Sequence, residues 1–301
     1  INQNRVHSGY HYPRSKETIK EVLAAKALFE DTYRDAIVNG IRSYYAIPHS
    51  GSLTSASDYV RIMQSFNLPM KEVELPWVNF DYLDKLWMVE EKLYCPTLLR
   101  DLCISRIQSL SISVRIEQFT PRLEEEYDYV IYATYGMDPQ SARQFPIAKY
   151  QLAEKVRVLL PRELQKVSLV VVDGPFTAFD PLGTTNYSLF GSAKYTNHWQ
   201  TTKFPIDLPS KYARSLNNRD FLEFSETNFH KLKEEASLVT PLASEAKYCG
   251  SKFTIRVVED NSKEDRRTAY LKRTGNLFHI FSGKVVSAVA IAKSIEQQIF
   301  Y

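Results

Sequence analysis

Glycine is scarce in this chain: ten residues in 301, about half the usual share of ~7%. No two of them are spaced Gly-x-Gly, so phosphate-cradling glycine turns of the P-loop or dinucleotide type are missing from the sequence. There is no Gly-x-Ser-x-Gly elbow either, which argues against an acyl-transfer hydrolase. The three cysteines, Cys95, Cys103 and Cys249, have no paired metal spacing and leave one over in any disulfide scheme. A reducing, cytoplasmic setting is the expectation. Of the six histidines, His49, His198 and His230 lack a partner at metal-ligand spacing and read as surface or packing residues. The longest apolar runs, residues 167–172 with one serine and 285–292, fall well short of the ~18 residues of a membrane span. A net charge of +3 points to no polyanionic partner, and nucleic acid is not expected.

What the sequence does contain is an ordinary globular composition, 44% hydrophobic and 24% charged, over a length that allows two cores or one large mixed fold. Its densest stretch of functional groups comes first: Asn4-Arg5-Val6-His7-Ser8-Gly9-Tyr10-His11-Tyr12-Pro13-Arg14-Ser15. Two imidazoles, two guanidinium groups and two phenols within twelve residues read as part of an active-site wall. An alternative has Tyr10 and Tyr12 alternating with His11 along a half-buried strand, with both arginines in water.

Ser15 is a plausible N-cap, and apolar residues at helical spacing from Ile19 to Ile37 predict a helix ended by Asn39-Gly40. Residues 41–47 read as a strand closed by Pro48. Ser55 then caps a helix with Tyr59, Ile62, Met63 and Phe66 on one face, and Val73 and Leu75 sit in the next strand. Trp87, Val89, Glu91 and Leu93 share one face of an alternating segment. Pro96 stands where the first helical residue belongs, in a helix carrying Leu98, Leu102 and Ile107. A strand with Ile112, Val114 and Ile116 and a buried strand over 127–134 are expected next. Val156 and Val158, alternating with Lys155 and Arg157, predict antiparallel strands between 149 and 172. A long loop region over 173–210 follows. It is read either as pocket lining or as a plain hairpin with ordinary turns. A helix is expected at 221–232, strands at 253–258, 269–271 and 277–281, and a final helix with Val285, Val289, Ala292, Ile295 and Ile299. The charges at Lys263, Glu264, Asp265, Arg266 and Arg267 read as a solvated loop. At Ser282-Gly283-Lys284, a strand–turn–helix junction offers backbone N–H groups to an anion or a polarised carbonyl. A simple strain-relieving turn is the other reading.

Four regions together resemble one family, the flavin-dependent oxidoreductases of the D-amino-acid oxidase and glycine oxidase type. Asn4, His7, Gly9 and Tyr12 form a pattern similar to the segment that members related to L-2-hydroxyglutarate dehydrogenase place beside the flavin ring. Residues 87–99, with Glu91 and Pro96, resemble the start of a flavin-domain helix, and 127–136 look like the strand that ends in Ala-Thr-Gly, interrupted here by Tyr135. Residues 278–284 resemble the C-terminal flavin-binding junction. The family's opening βαβ unit of ~30 residues has no counterpart, and the chain starts at Ile1 without an initiator methionine. The expectation is a fragment, or an FAD site without its main diphosphate anchor.

The resemblance implies an α/β fold: a discontinuous, Rossmann-like FAD-binding domain, incomplete at its N-terminus, over 1–38, 87–140 and 251–301. A substrate domain with a mostly antiparallel sheet would take 39–86 and 141–250. It implies FAD as cofactor and hydride transfer from an amino acid or 2-hydroxy acid to flavin N5. Asn4, Arg5, Gly9, Thr134, Ser282, Gly283 and Lys284 would contact the cofactor, and Tyr10, Tyr12 and Arg256 the substrate and its carboxylate. His7 would be the base for a hydroxy acid, or only position the flavin. Arg256 matches a family arginine, with a structural salt bridge as its other reading. A non-catalytic or truncated protein of the same fold without bound FAD is the main alternative. An unrelated α+β sugar- or protein-binding module is a third.

Overall fold

A computed structural model describes residues 3–117, 120–216, 220–259 and 267–301. Among them are helices α1 (Lys16–Thr32), α2 (Ala56–Ser65), α3 (Pro96–Ser109), α4 (Pro139–Gln144), α5 (Ser210–Leu216), α6 (Phe229–Val239) and α7 (Ser287–Phe300). No helix of the described residues is long and apolar enough to cross a membrane.

The mixed α/β architecture centres on a nine-stranded, mostly antiparallel sheet. Its two longest strands, Ile147–Leu159 and Lys247–Glu259, pair with each other along one edge of the former. The other edge takes Tyr187–Ser192 and Asn197–Thr201 end to end. The sheet continues through Thr177–Pro181, Val167–Val171, Arg42–Pro48, Leu83–Val89 and Met70–Glu72, and only the Arg42–Pro48 and Val167–Val171 pair is parallel. Period-two alternation gives the sheet two unlike faces. On one, Val156, Val158, Leu169, Phe179 and Phe190 pack under α6 through Leu232 and Ala236, all essentially fully buried. At ~1.5–3 kcal/mol for each large apolar side chain, this is the dominant core. On the other, Tyr45, Ile47, Val170 and Ala178 pack against Ile19 and Val22 of α1, Tyr59 and Met63 of α2, and Tyr10 of the opening segment. That apolar cover stops short of strand Ile147–Leu159, which presents Gln151 and Lys155 there.

Two small sheets flank the large one. Arg5–Val6 and Ile37–Val38 both pair with Lys92–Tyr94. Leu277–Phe281 pairs antiparallel with Tyr270–Thr274 and parallel with Val130–Tyr132.

The capping signals in the sequence hold: the Ser15 and Ser55 side chains accept from Thr18 N and Asp58 N, and α3 starts at Pro96. Several expected elements differ. Helix α1 ends at Thr32, because Ile37–Val38 is drawn into a ladder and Ala36 O accepts from Cys95 N. The strand expected at Val73 and Leu75 lies earlier, at Met70–Glu72. Residues 112–116 alternate in type, yet no strand pairs with them among the described residues, and Ile112, Val114 and Ile116 are exposed. The 127–134 strand shrinks to Val130–Tyr132, with Ile131 exposed. Helix α3 buries none of its residues. The expected loop at 173–210 contains three strands, in line with its hairpin reading. The 221–232 helix starts only at Phe229, because Leu222 bridges back to Ser251 and Asn228 N is tied to Glu154. Residues 285–286 form a turn before α7. Lys263, Glu264, Asp265 and Arg266 lie outside the described residues.

Glu154 joins three of these segments. It is fully buried and accepts from His198 Nε2 (2.6 Å), Thr227 Oγ1 (2.5 Å), Asn228 N (3.0 Å) and the Ser251 hydroxyl. His198 therefore has a structural partner. Burial pushes the Glu154 carboxyl up, but the hydrogen bonds led by His198 and Ser251 outweigh it, and the group sits below the ordinary glutamate value. Its stabilising contribution is therefore complete above ~4.3 and is lost as pH falls through the depressed folded value. Glu154→Ala is expected to cost ~3–5 kcal/mol in urea unfolding at pH 7. The gap between parent and Glu154→Gln should narrow from pH 7 to pH 3, and a gap that widens on acidification contradicts the assignment.

Candidate functional site

The opening segment is laid across the polar end of the second sheet face by buried side-chain bonds. Arg5 reaches Asp180 through two hydrogen bonds, Nε to Oδ1 at 2.8 Å and Nη2 to Oδ2 at 2.6 Å. Asp180 Oδ1 also accepts from Ser168 at 2.6 Å. Three residues on, Ser8 N donates to Glu91 Oε1 (2.9 Å) while Tyr45 donates to Glu91 Oε2 (2.6 Å). Burial raises the Glu91 carboxyl; Arg5 and these donors only partly offset it. Gly9 has φ +100°, and a Cβ there would stand 2.9 Å from Ile19 Cγ2, so the segment turns where only glycine fits. Arg14 ends it on Asp173, at 2.5 and 3.1 Å. Neither arginine projects into water as the strand reading had it.

Between these anchors the segment turns aromatic groups toward the C-terminal junction. The rings of His7 and His11 lie 5.4 and 5.2 Å from that of Tyr12. Lys284 Nζ stands 4.6 Å above the Tyr12 ring and donates to the Arg267 carbonyl. The Nδ1 atoms of His7 and His11 are buried and have no hydrogen-bond partner among the described residues. His7 Nδ1 is 3.8 Å from Glu91 Oε1, too long for a hydrogen bond, and the His7 side chain keeps 20% of its exposure. Burial, with lesser pushes from nearby cations, holds both imidazoles well below the ordinary histidine value. Each is neutral at pH 7, with one N–H donor and one lone pair.

The sheet supplies the facing wall. Arg256, opposite Gln151 in register, donates to Gln151 Oε1 (3.0 and 2.7 Å) and to Asn197 Oδ1 (3.2 Å). Gln151 donates in turn to Gln200 at 3.1 Å. Amide oxygens thus orient this guanidinium. Lys155, on the same face, is pushed down to about 7 by burial and by Arg256, against the pull of Asp180. Gly191 leaves the room that Lys155 and Gln3 occupy: a Cβ there would meet Gln3 Nε2 at 2.5 Å and Lys155 Nζ at 3.4 Å.

Of the residues singled out from sequence, His7, Tyr12, Arg256 and Lys284 come together in or beside this cluster. Arg5 and Asn4 are buried beneath it, Arg5 committed to Asp180. Tyr10 is fully buried and donates to Pro69 O at 2.6 Å, a packing position. Thr134 is exposed and donates to Asp138, the N-cap of α4. Ser282 Oγ accepts from Lys284 N at 3.2 Å, and a Cβ at Gly283 would meet nothing within 4 Å, so the backbone there borders open space. A cavity of about 460 Å3 between α7 and the small sheet meets the cluster only at Ser282 and Lys284; its other walls include Ile131, Tyr135, Ile280 and Ile291. Sequence reasoning placed His11 in the opening wall without a role of its own, and did not single out Gln151, Lys155 or Asp180. The alternation at 155–158 was a signal for Lys155, but it does not say which face is covered.

Searched against family models, the chain matches none. It is 23% identical over 304 aligned positions to the FAD-dependent monooxygenase FPY4 of Fusarium mangiferae, covering 94% of this chain and 76% of that protein. Its fold is similar to that of glycine oxidase from Geobacillus kaustophilus, with TM-score 0.68 and 12% identity over 98% of this chain and 83% of that one. The L-alpha-glycerophosphate oxidase of Mycoplasma pneumoniae, solved with FAD bound, gives TM-score 0.67 at 10% identity over 100% and 84%. L-proline dehydrogenase from P. horikoshii gives 0.62 at 10% identity over 100% and 81%. The chain thus has the FAD-dependent oxidoreductase fold of glycine oxidase and its structural relatives.

The lowered titration of Lys155 is directly measurable. After reductive methylation with 13C-formaldehyde, one dimethyl-lysine NMR signal should titrate near pH 7 and be missing from Lys155→Met. If all signals titrate near the ordinary ~10.4, Lys155 is solvated and the site is misread.

Proposed function

We propose that this chain is an FAD-dependent oxidoreductase that takes hydride from a carbon bearing an amine or hydroxyl, in a small substrate held by its carboxylate. One observation carries the reading. The opening segment, the 282–284 turn and the sheet face converge on one region that holds two neutral, half-buried imidazoles whose buried Nδ1 atoms have no hydrogen-bond partner among the described residues and an amide-oriented guanidinium. A flavin ring edge, with its carbonyls and ring nitrogens, matches such donors and acceptors, and the space beside Gly283 suits a planar group approaching backbone. Bound there, FAD would supply the hydride acceptor.

The residues of the chain divide the remaining work. Arg256 presents a planar fork to the substrate carboxylate. His7, neutral, accepts the proton that a hydroxyl must lose as its carbon loses hydride; a neutral amine needs no such base. Ser282, Gly283 and Lys284 would border the flavin, where the Lys284 charge would favour the anionic form of the reduced cofactor. Asn4, Arg5 and Gly9 hold the wall in place, Tyr12 borders the substrate, and Tyr10 and Thr134 support from further off. In this reading the flavin-facing unit takes 1–38, 87–140 and the C-terminal part, and the remainder is the substrate unit. Because Lys247–Glu259 runs wholly in the large sheet, the last boundary is drawn after Glu259 instead of at 251. The three free cysteines accord with a cytoplasmic setting.

The full chain, incubated with FAD and desalted, should stay yellow and quench flavin fluorescence. Amino acids or 2-hydroxy acids should bleach it under anaerobic conditions. Arg256→Ala is expected to raise the half-saturating carboxylate concentration ~10–100-fold, the value of a lost charge-assisted bond. His7→Gln should slow bleaching by hydroxy acids ~100-fold or more while sparing amines. A protein that stays colourless in excess FAD contradicts the proposal and favours a non-catalytic role for the fold.

A further inference from the structure

The wall that carries Arg256 also carries a second cation with nothing bound to it. Lys155 lies four residues from Gln151 on one face of strand Ile147–Leu159, about 13 Å along at ~3.3 Å per residue. Arg256 leans over Gln151. Among the described residues, Lys155 Nζ makes no hydrogen bond and no ion pair within 4 Å. The nearby acid cannot serve it: Asp180 is fully buried, with Oδ1 taken by Arg5 and Ser168 and Oδ2 by Arg5. Glu91 is likewise held by Tyr45 and Ser8. Arg5, Lys155, Arg256, Lys284 and Arg267 all act on this region, against the carboxylates of Asp180 and Glu91. Gly191, having no side chain, lets the Lys155 ammonium and the Gln3 amide lie side by side over its backbone, so a neutral donor stands next to the cation. Lys155 is half-buried; an ammonium partly drawn out of water without a partner is costly, and an anion arriving with the substrate would remove that cost.

We propose that Lys155 is the recognition point for a second acidic group of the substrate, carboxylate or phosphate, while Arg256 holds the first. The substrate class is therefore a short dianionic amino or hydroxy acid, with the reacting carbon next to the carboxylate on Arg256. This rests on the functional reading above only for the role given to Arg256. The spacing of the two anchors selects chain length: a diacid too short to span both gains nothing over a monoacid.

Isothermal titration calorimetry on the purified full chain at pH 6.5 tests this without turnover. Succinate and glutarate are compared with butyrate, and phosphoglycolate stands for the phosphate source. At least one dianion is expected to bind 10-fold or more tightly than butyrate. Lys155→Met should erase that advantage and leave butyrate unchanged, and Lys155→Arg should keep most of it. A better ligand in phosphoglycolate than in either diacid identifies the second group as phosphate. Dianions no tighter than butyrate in the parent, or an advantage that survives Lys155→Met, overturn the proposal. Butyrate binding that survives Arg256→Ala refutes the reading of Arg256 instead, and binding of no anion at all refutes both.

Discussion

A salt bridge between residues 175 positions apart, Arg5 and Asp180, decides where the functional groups of this chain meet. Both partners are essentially inaccessible to water. A buried pair of this kind contributes little net stability, because desolvation offsets most of the attraction, but losing one partner strands a charge. Its effect is on register. With the guanidinium fork seated on Asp180 and Ser8 N on Glu91, the intervening residues have one way to lie, and the His7 ring is set against that of Tyr12. Gly9 and the Tyr10 hydroxyl, which donates to Pro69 O, fix the turn that brings His11 and Tyr12 back beside it.

The sheet beneath has a matching division of labour. Its α6 face is sealed by aliphatic and aromatic side chains around one buried acid, Glu154, whose hydrogen bonds tie the strands to the start of that helix. The same strand turns Gln151 and Lys155 the other way, toward the opening segment. Adjacent residues 154 and 155 thus serve opposite ends. The carboxylate is fully satisfied and structural, and the ammonium of the next residue has no hydrogen bond among the described residues. This contrast separates the fold's support from its chemistry more sharply than any motif does.

Much of the scaffold was legible in the sequence because it depends on local rules. Ser15, Ser55 and Pro96 mark helix starts through capping chemistry that needs no tertiary context. The family resemblance located the opening segment and the 282–284 turn, and the fold agrees with it. Illegible were features that depend on distant partners. The alternation at 112–116 specifies a strand only if another strand is there to pair with it. Asp180 lies within the stretch read as a loop, where nothing local signals that Arg5 is placed against it. Arg5 itself read as a cofactor contact or a solvated charge, because nothing local announces a partner on another strand. Lys155 looked like the polar side of an antiparallel strand, and which face of that strand is covered is a property of the whole sheet.

The most direct measurement is hydrogen–deuterium exchange in the parent and in Asp180→Asn. If the buried pair pins the opening segment, backbone amides between residues 5 and 12 should exchange much faster in the variant, while the strand Ile147–Leu159 and helix α6 keep their protection. Unchanged exchange across 5–12, or a loss of protection spread evenly over the sheet, would contradict the account.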